Sequence, residues 1–173
     1  MAATFLESGT DATQGLQFWT LTFGVVASTT TARTGPRAIR FTTGGAGQEA
    51  VLIKSNVLSD AGSRISAGLR ISNLPTTNPY NLLKTEQVND GATIMGVRVT
   101  SAGVLQLFNA AGTQIGSNGS TLSINTWYRR CLAFTITSTT VNEFRLFLDG
   151  ILDITVTDTV LTLTGSTDVG IGA

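Results

Sequence analysis

The chain has 173 residues, of which 42% are hydrophobic and only 13% are charged. Its 11 basic residues balance its 11 acidic residues, which leaves no electrostatic footprint for nucleic acid or for an anionic membrane. A chain of this length is expected to fold as one domain, residues 1–173, that buries about 70% of the surface of its unfolded state.

The composition suits short strands and tight turns, because threonine, serine and glycine fill most of the remaining positions. The opening residues, MAATFLESG, lack the basic and apolar regions of a secretion signal, and no apolar run approaches the ~18 residues of a membrane span. We therefore expect a chain that neither enters a membrane nor is exported by a signal of its own. Cys131 is the single cysteine, which excludes an intrachain disulfide.

The first third of the chain predicts short strands separated by turns. Residues 3–7 form a first strand candidate, and residues 16–27 carry enough apolar side chains for one or two more. Residues 37–42 and 48–54 both alternate, and the glycine-rich turn at 44–47 between them predicts a hairpin.

The most regular alternation follows in residues 64–72, where aliphatic side chains face one way and Arg70 lies among polar ones on the other face. Residues 73–79 contain two of the three prolines and are expected to form a loop, since proline cannot donate to a strand ladder. Residues 80–88, which begin with Tyr80, are interpreted as a strand, with a short helical turn as the alternative.

Three turns in the second half of the chain share one pattern, a three-residue loop that ends in glycine. The three loops are Ser101-Ala102-Gly103, Ala110-Ala111-Gly112 and Leu148-Asp149-Gly150. The first loop aligns Arg98 with Gln106, and the second aligns Leu107 with Ile115. Consecutive hairpins of this kind predict an antiparallel meander.

The third of these loops joins the two most apolar strands of the chain. A two-residue loop would set Leu146 opposite Asp153 and bury a carboxylate in an apolar row. A three-residue loop instead sets Leu146 opposite Leu152, both in the core, and pairs Arg145 with Asp153 on the outer face. We therefore predict the longer loop and an Arg145–Asp153 ion pair.

The last strand is predicted at residues 167–172. About a dozen strands without a linker or repeat predict an all-β fold, a two-sheet antiparallel sandwich. Residues 169–173 carry neither lysine nor proline, and we expect them at an unprotected sheet edge that invites a partner strand.

Four segments follow one another along nearly the whole chain: FLES, TARTGPRAIRF, NTWYRRCLAFTI and FRLFLDGIL. This order resembles the concanavalin A-like lectin and glucanase superfamily, which includes laminin G-like modules, and the resemblance implies a jelly-roll sandwich. The strand with Phe5 and Glu7, and the segment Ala38-Ile39-Arg40, are also similar to structural and decoration proteins of tailed phages. In such folds a closing strand follows the region that corresponds to residues 168–173, and we expect a departure from the family there: either the sequence is short, or the sheet edge is completed differently.

The residue types restrict the chemistry of the chain. It contains no histidine, which removes the commonest general base and every histidine-based triad. Retaining glucanases of the superfamily need alternate carboxylates on one strand, whereas the four glutamates of this chain are scattered. We therefore predict that the protein is not an enzyme, and we assign no catalytic residue.

No cofactor or metal is predicted. Calcium requires only hard oxygen ligands, which Asn89, Asp90 and Asp158 could supply, but these residues lack EF-hand spacing and are interpreted as turn-forming or solvated.

Sugar recognition usually combines an exposed aromatic plane with a few polar side chains. Phe147 is the best stacking candidate because it lies on the same strand face as Arg145, although an assembly contact or a covering loop explains it equally well. With Tyr80, Arg70 and Trp19 it makes up our candidate ligand or assembly surface, whereas Trp127 is interpreted as a core residue.

The resemblance implies a non-enzymatic structural or binding protein of a virion, either a capsid decoration protein or a tail-associated module. Its expected partners are other virion proteins and further copies of itself, in a homo-oligomer for which we expect a trimer, and glycans of a surface. The alternatives are a free carbohydrate-binding, lectin-like module and a glycan hydrolase. A glycan array would distinguish the lectin-like module, and copurification with particles would support the virion protein.

Overall fold

The computed structural model describes residues 3–6, 21–23, 25–28, 38–42, 51–58, 63–87, 93–136, 142–158 and 167–172. Within these ranges the regular structure consists of strands, and no helix is long and apolar enough to cross a membrane. The strands are β1 (Ala3–Leu6), β2 (Leu21–Phe23), β3 (Val25–Ser28), β4 (Ala38–Thr42), β5 (Val51–Leu58), β6 (Ser63–Ile71), β7 (Tyr80–Gln87), β8 (Thr93–Val99), β9 (Leu105–Asn109), β10 (Gln114–Ile115), β11 (Trp127–Ile136), β12 (Asn142–Leu148), β13 (Ile151–Asp158) and β14 (Thr167–Gly172).

The strands form two seven-stranded antiparallel sheets. Sheet I has the order β13-β12-β11-β6-β1-β4-β3, and sheet II has the order β10-β9-β8-β7-β14-β5-β2. The predicted all-β, two-sheet sandwich is therefore confirmed. Residues 72–79 form the predicted loop, and β7 settles the ambiguous segment after it as a strand.

One apolar core lies between the sheets, and both sheets contribute to it. Sheet I supplies Leu69, Ile71, Leu132, Phe144, Leu146 and Ile154, and sheet II supplies Leu82, Leu83, Met95, Val97, Val99, Leu105 and Leu107. Because alternate residues of a strand face opposite sides, the residues between these positions form the two outer faces of the sandwich.

Two of the three predicted hairpins are confirmed. Arg98 lies opposite Gln106, and Ile115 lies opposite Leu107, as the three-residue loops require. The glycines that end these loops, Gly103 and Gly112, have φ values of 81° and 74°, a backbone conformation that residues with a Cβ rarely adopt.

The third hairpin has a different turn from the predicted one. Leu148 pairs with Ile151 across a two-residue turn, in which Asp149 and Gly150 both have positive φ. The register then shifts, so that Leu146 lies opposite Ile154 and not opposite Leu152. A β-bulge thus keeps an aliphatic residue, and not Asp153, opposite Leu146. The longer loop was predicted for the same purpose.

Asp153 is the extra residue of this bulge, and the predicted ion pair with Arg145 is absent. Both carboxylate oxygens of Asp153 accept hydrogen bonds from the Ser120 backbone N–H, at 2.9 and 3.0 Å, and its Oδ1 also accepts one from Ser120 Oγ at 2.6 Å. The bulge therefore directs the carboxylate to the loop that follows β10 and crosses to this edge of sheet I. Leu152, predicted in the core, is instead 49% exposed.

Arg145 pairs with a residue of its own strand. Its Nη2 lies 2.8 Å from Oε1 of Glu143, and the two side chains are 50% and 30% exposed. We expect Arg145→Ala to lower the free energy of unfolding by less than about 1 kcal/mol, because exposed ion pairs contribute little. Urea denaturation measures this, and a clearly larger loss would contradict it.

Two further predictions about strand pairing are wrong. Strands β4 and β5 do not form a hairpin, since β4 pairs with β1 and β3 in sheet I while β5 pairs with β14 and β2 in sheet II. β14 is not at an edge, because it lies between β5 and β7. A strand bonded on both sides needs neither lysine nor proline to block strand addition, and an unprotected edge also lacks them, so the pattern alone did not distinguish the two.

Candidate functional site

The outer face of sheet II carries a continuous set of polar side chains across β8, β9 and β10. Val97 and Val99 are buried in the core, so Arg98 between them points outward. Gln106 lies opposite Arg98 in the register, and Gln114 follows on β10 through the second three-residue loop. Two tight loops of the same type therefore bring these residues to one face.

These side chains are joined by hydrogen bonds into one row. Arg98 Nε donates to Gln106 Oε1 at 3.0 Å, and Gln106 Nε2 donates to Gln114 Oε1 at 2.8 Å. Asn118 Oδ1 accepts from Gln106 Nε2 at 2.9 Å and from Gln114 Nε2 at 3.0 Å. We call Arg98, Gln106, Gln114 and Asn118 the polar row.

The positive charge of the polar row has only neutral hydrogen-bond partners among the described residues. Besides Gln106, the guanidinium of Arg98 donates from Nη1 to the backbone oxygen of Gly112 at 2.7 Å. It also lies over the ring of Phe108, 5.4 Å from the centroid. Arg98 is half-buried, and both of its hydrogen-bond acceptors among the described residues are uncharged.

Phe108 and Gly96 form the floor beside Arg98. Phe108 is only 5% exposed, although its position on β9 is on the outer face next to Gln106. A Cβ at Gly96 would lie 2.5 Å from Phe108 Cζ and 2.5 Å from Leu83 O, so only glycine leaves room for the ring to lie flat on the sheet. The ring thereby supports the guanidinium from below.

Asn81 extends this face onto β7. It is half-buried and lies opposite Arg98 in the register of β7 and β8. Its carboxamide adds a donor and an acceptor to those of the polar row. The face therefore presents the three carboxamides of the polar row, the carboxamide of Asn81 and the guanidinium of Arg98. Carboxamides bind hydroxyls, and a guanidinium binds carboxylates.

Of the residues predicted as a ligand or assembly surface, the three that the structure describes lie on two different sheets. Arg70 and Phe147 share the outer face of sheet I, where Arg70 lies opposite Trp127 and Phe147 opposite Cys131. Arg70 Nη2 donates to Asn125 Oδ1 at 2.7 Å. Trp19 lies outside the described residues.

Tyr80 belongs to sheet II but packs against the core and not on the outer face. Burial raises the pKa of its phenol above the usual value, so the side chain is neutral at physiological pH. Trp127, predicted in the core, is half-buried next to Tyr128, which packs against the core; alternation therefore places Trp127 on the outer face of sheet I.

The polar row was missed at the sequence level, although its signal was present. The loop rule that aligned Arg98 with Gln106 also carries Gln114 to the same face. A search for aromatic residues overlooked these amides. Among the described residues, no group of three or more Cys, Asp or Glu side chains could hold a metal ion, while Asn89 and Asp90 lie outside them.

A scan against protein-family models and a search of curated proteins found no match. Among solved structures, the endo-β-1,4-glucuronan lyase of the fungus Trichoderma reesei is similar with a TM-score of 0.64 and 12% sequence identity, covering 89% of this chain and 78% of that one. A conserved carbohydrate esterase of the Shiga toxin-encoding bacteriophage phi24B is similar with a TM-score of 0.59 and 16% identity, covering 96% of this chain and 88% of that one. These likenesses establish a shared β-sandwich fold.

The two neighbours contradict the prediction that the chain is not an enzyme, since one is a lyase and the other an esterase. That prediction rested on the absence of histidine and of an alternating carboxylate strand. Neither absence excludes catalysis, because tyrosine and lysine also act as general acids and bases.

Proposed function

We propose that the protein is a carbohydrate-active protein that binds an acidic polysaccharide along the polar row. The observation that carries this proposal is the row itself, a guanidinium and three carboxamides held by one another on an outer sheet face. Each carboxamide both donates and accepts hydrogen bonds, which matches sugar hydroxyls. The guanidinium matches the planar carboxylate of an acidic sugar.

The shape of the polar row supports a chain-like ligand. Neighbouring strands lie about 4.8 Å apart, so the three strands that carry the row span about 10 Å, the scale of a short oligosaccharide. The row runs across the strands, and Asn81 on β7 continues its line. A polysaccharide lying across the strands would meet these side chains in succession.

The structural neighbours support a polysaccharide as the ligand class. One is named as a lyase of glucuronan, and the other as a carbohydrate esterase. An acidic polymer such as glucuronan also suits Arg98, whose hydrogen-bond partners among the described residues are neutral. We therefore propose lyase-type or esterase-type chemistry on an acidic polysaccharide, and choose glucuronan as the first ligand to test.

The phage origin of one neighbour supports the expectation that the protein belongs to a phage particle. There, polysaccharide binding would act at the surface of a bacterial host. Membership of the concanavalin A-like superfamily is part of the same proposal, supported by the two-sheet sandwich and by the order of the sequence motifs. Assembly with other virion proteins or as a trimer stays a prediction.

Calorimetric titration with glucuronan oligosaccharides and with neutral β-1,4-glucan oligosaccharides of equal length tests the ligand class. We expect binding to the acidic oligomer that weakens as salt is added, because the interaction is partly electrostatic. Ultraviolet absorbance of unsaturated product ends and release of acetate from an acetylated polymer then test the two chemistries. Equal affinity for both oligomers, or no binding to either, would refute the proposal.

A further inference from the structure

Arg130 is the only charged side chain buried among those that the structure describes, with 2% of its surface exposed. It lies on β11 between Tyr128 and Leu132, which both pack against the core. Because alternate residues share a face, Arg130 points to the same side as these two. Its guanidinium therefore enters the apolar layer between the sheets. An arginine is rarely found there without a specific partner.

Arg130 makes one hydrogen bond across the core. Its Nη2 donates to the backbone oxygen of Leu82 on sheet II, at 2.7 Å, while Nε and Nη1 have no hydrogen-bond partner among the described residues. Burial lowers the pKa of Arg130 to about 10, so the side chain stays charged at neutral pH and bears the cost of losing its water shell. A buried charge without a full set of hydrogen bonds costs free energy, so core stability does not explain this residue.

Leu82 is the extra residue of a bulge in β7. Asn81 lies opposite Arg98 and Leu83 lies opposite Val97, which leaves Leu82 unmatched between two consecutive residues of β8. The bulge lets two adjacent leucines enter the core, where they are 0% and 2% exposed. It also disrupts the ladder locally, and a buried carbonyl without a ladder partner needs another donor.

Loss of the bulge would change the outer face of sheet II. With Asn81 still opposite Arg98, a regular ladder would set Leu83 opposite Gly96, and Leu83 would then face outward beside Phe108. An aliphatic side chain would thus enter the surface next to Arg98. The observed register avoids this.

We propose that Arg130 is a positioning residue for the polar row, which holds the Leu82 bulge across the core and so keeps Leu83 in the core and off the outer face beside Arg98 and Phe108. This role rests on the proposed polysaccharide binding at that face. The arginine reaches from sheet I to the backbone of sheet II directly behind the face that it positions. Its hydrogen bond to Leu82 connects β11 of sheet I to the bulge in β7 of sheet II.

Arg130→Met and Arg130→Lys test the proposal, with two readouts for each. In Arg130→Met we expect loss of the cross-strand nuclear Overhauser contacts between Leu83 and Val97, and at least about tenfold weaker binding of glucuronan oligosaccharides. In Arg130→Lys, which keeps a donor for the Leu82 carbonyl, we expect these contacts to persist and the affinity to stay within about threefold of wild type. A residue that served only general stability would not separate the two variants in this way.

Wild-type contacts and wild-type affinity in a folded Arg130→Met protein would overturn the proposal. If Arg130→Met does not fold, Arg130→Lys decides: loss of the Leu83–Val97 contacts, or of affinity with those contacts intact, would overturn it. No binding by the wild-type protein would overturn the proposed function and the role at the polar row together. The Leu83–Val97 contacts would still report separately whether Arg130 holds the bulge.

Discussion

Replacing Arg98 with glutamine is expected to weaken the binding of glucuronan oligosaccharides by about tenfold to a hundredfold. Hydrogen bonds to a charged group contribute about 1.5–3 kcal/mol, and each 1.4 kcal/mol is about a factor of ten in affinity. Glutamine keeps a polar side chain at this position and removes the positive charge of the polar row. Calorimetry at a single fixed salt concentration measures the loss.

Arg145→Gln is the matched control for this experiment. It removes the same charge from the outer face of sheet I, where Arg145 is exposed and paired with Glu143. We expect less than about a twofold change in affinity, because an exposed ion pair remote from the ligand contributes little. Equal losses in the two variants would indicate unspecific charge attraction, and wild-type affinity in Arg98→Gln would exclude Arg98 from the site.

Phe144→Ala is expected to lower the free energy of unfolding by about 3–5 kcal/mol, the usual range for removing a buried phenylalanine ring. The ring of Phe144 is 1% exposed and belongs to the core shared by the two sheets. On β12 it lies opposite Phe134 of β11 and Val156 of β13, so a cavity at this position would be flanked by a strand on each side. Urea denaturation measures the change.

Phe147→Ala provides the comparison on the same strand. Phe147 lies on the outer face and is half-buried, so less apolar surface is lost and solvent can fill the space. We expect less than about half of the loss caused by Phe144→Ala. If the two substitutions destabilise the protein equally, the assignment of inner and outer faces on β12 is wrong.

The parts of the fold that were predictable from the sequence depend on local geometry. A glycine that ends a three-residue loop determines both the turn and the register, and this placed Arg98 opposite Gln106 correctly. Alternation likewise identified β6 and β14 as strands. Neither pattern indicates which distant strand lies next to a given strand in its sheet. For this reason the predicted edge position of β14 and the predicted pairing of β4 with β5 were wrong.

The bulges explain most of the remaining differences. Simple alternation assumes that every residue of a strand has a partner opposite it, whereas Asp153 in β13 and Leu82 in β7 are extra residues without one. The bulge at Asp153 places Ile154 opposite Leu146 despite the two-residue turn, and the bulge at Leu82 allows adjacent leucines to be buried. No local pattern in the sequence marks either position, because the hydrogen-bond partner at each bulge is distant in the chain: Ser120 for the first and Arg130 for the second.

The candidate site was only partly predictable for a related reason. The alignment of Arg98 with Gln106 was available from the loops, but the sugar-binding hypothesis looked for exposed aromatic rings. The aromatic residue of this face, Phe108, is covered by Arg98 and rests on Gly96. The exposed polar groups of this face are therefore the neighbouring amides, Gln106 and Gln114. Their position on one face is predictable only when the two hairpins are considered together.

The most direct test of the central claim is a nuclear magnetic resonance titration of the wild-type protein with glucuronan oligosaccharides. Side-chain amide and guanidinium signals of the polar row report on binding without any substitution. The proposed function predicts saturable shifts at Arg98, Gln106, Gln114 and Asn118, with Arg129 and Arg145 on the outer face of sheet I unchanged. Shifts confined to sheet I, or no shift at the polar row at saturating ligand, would contradict it.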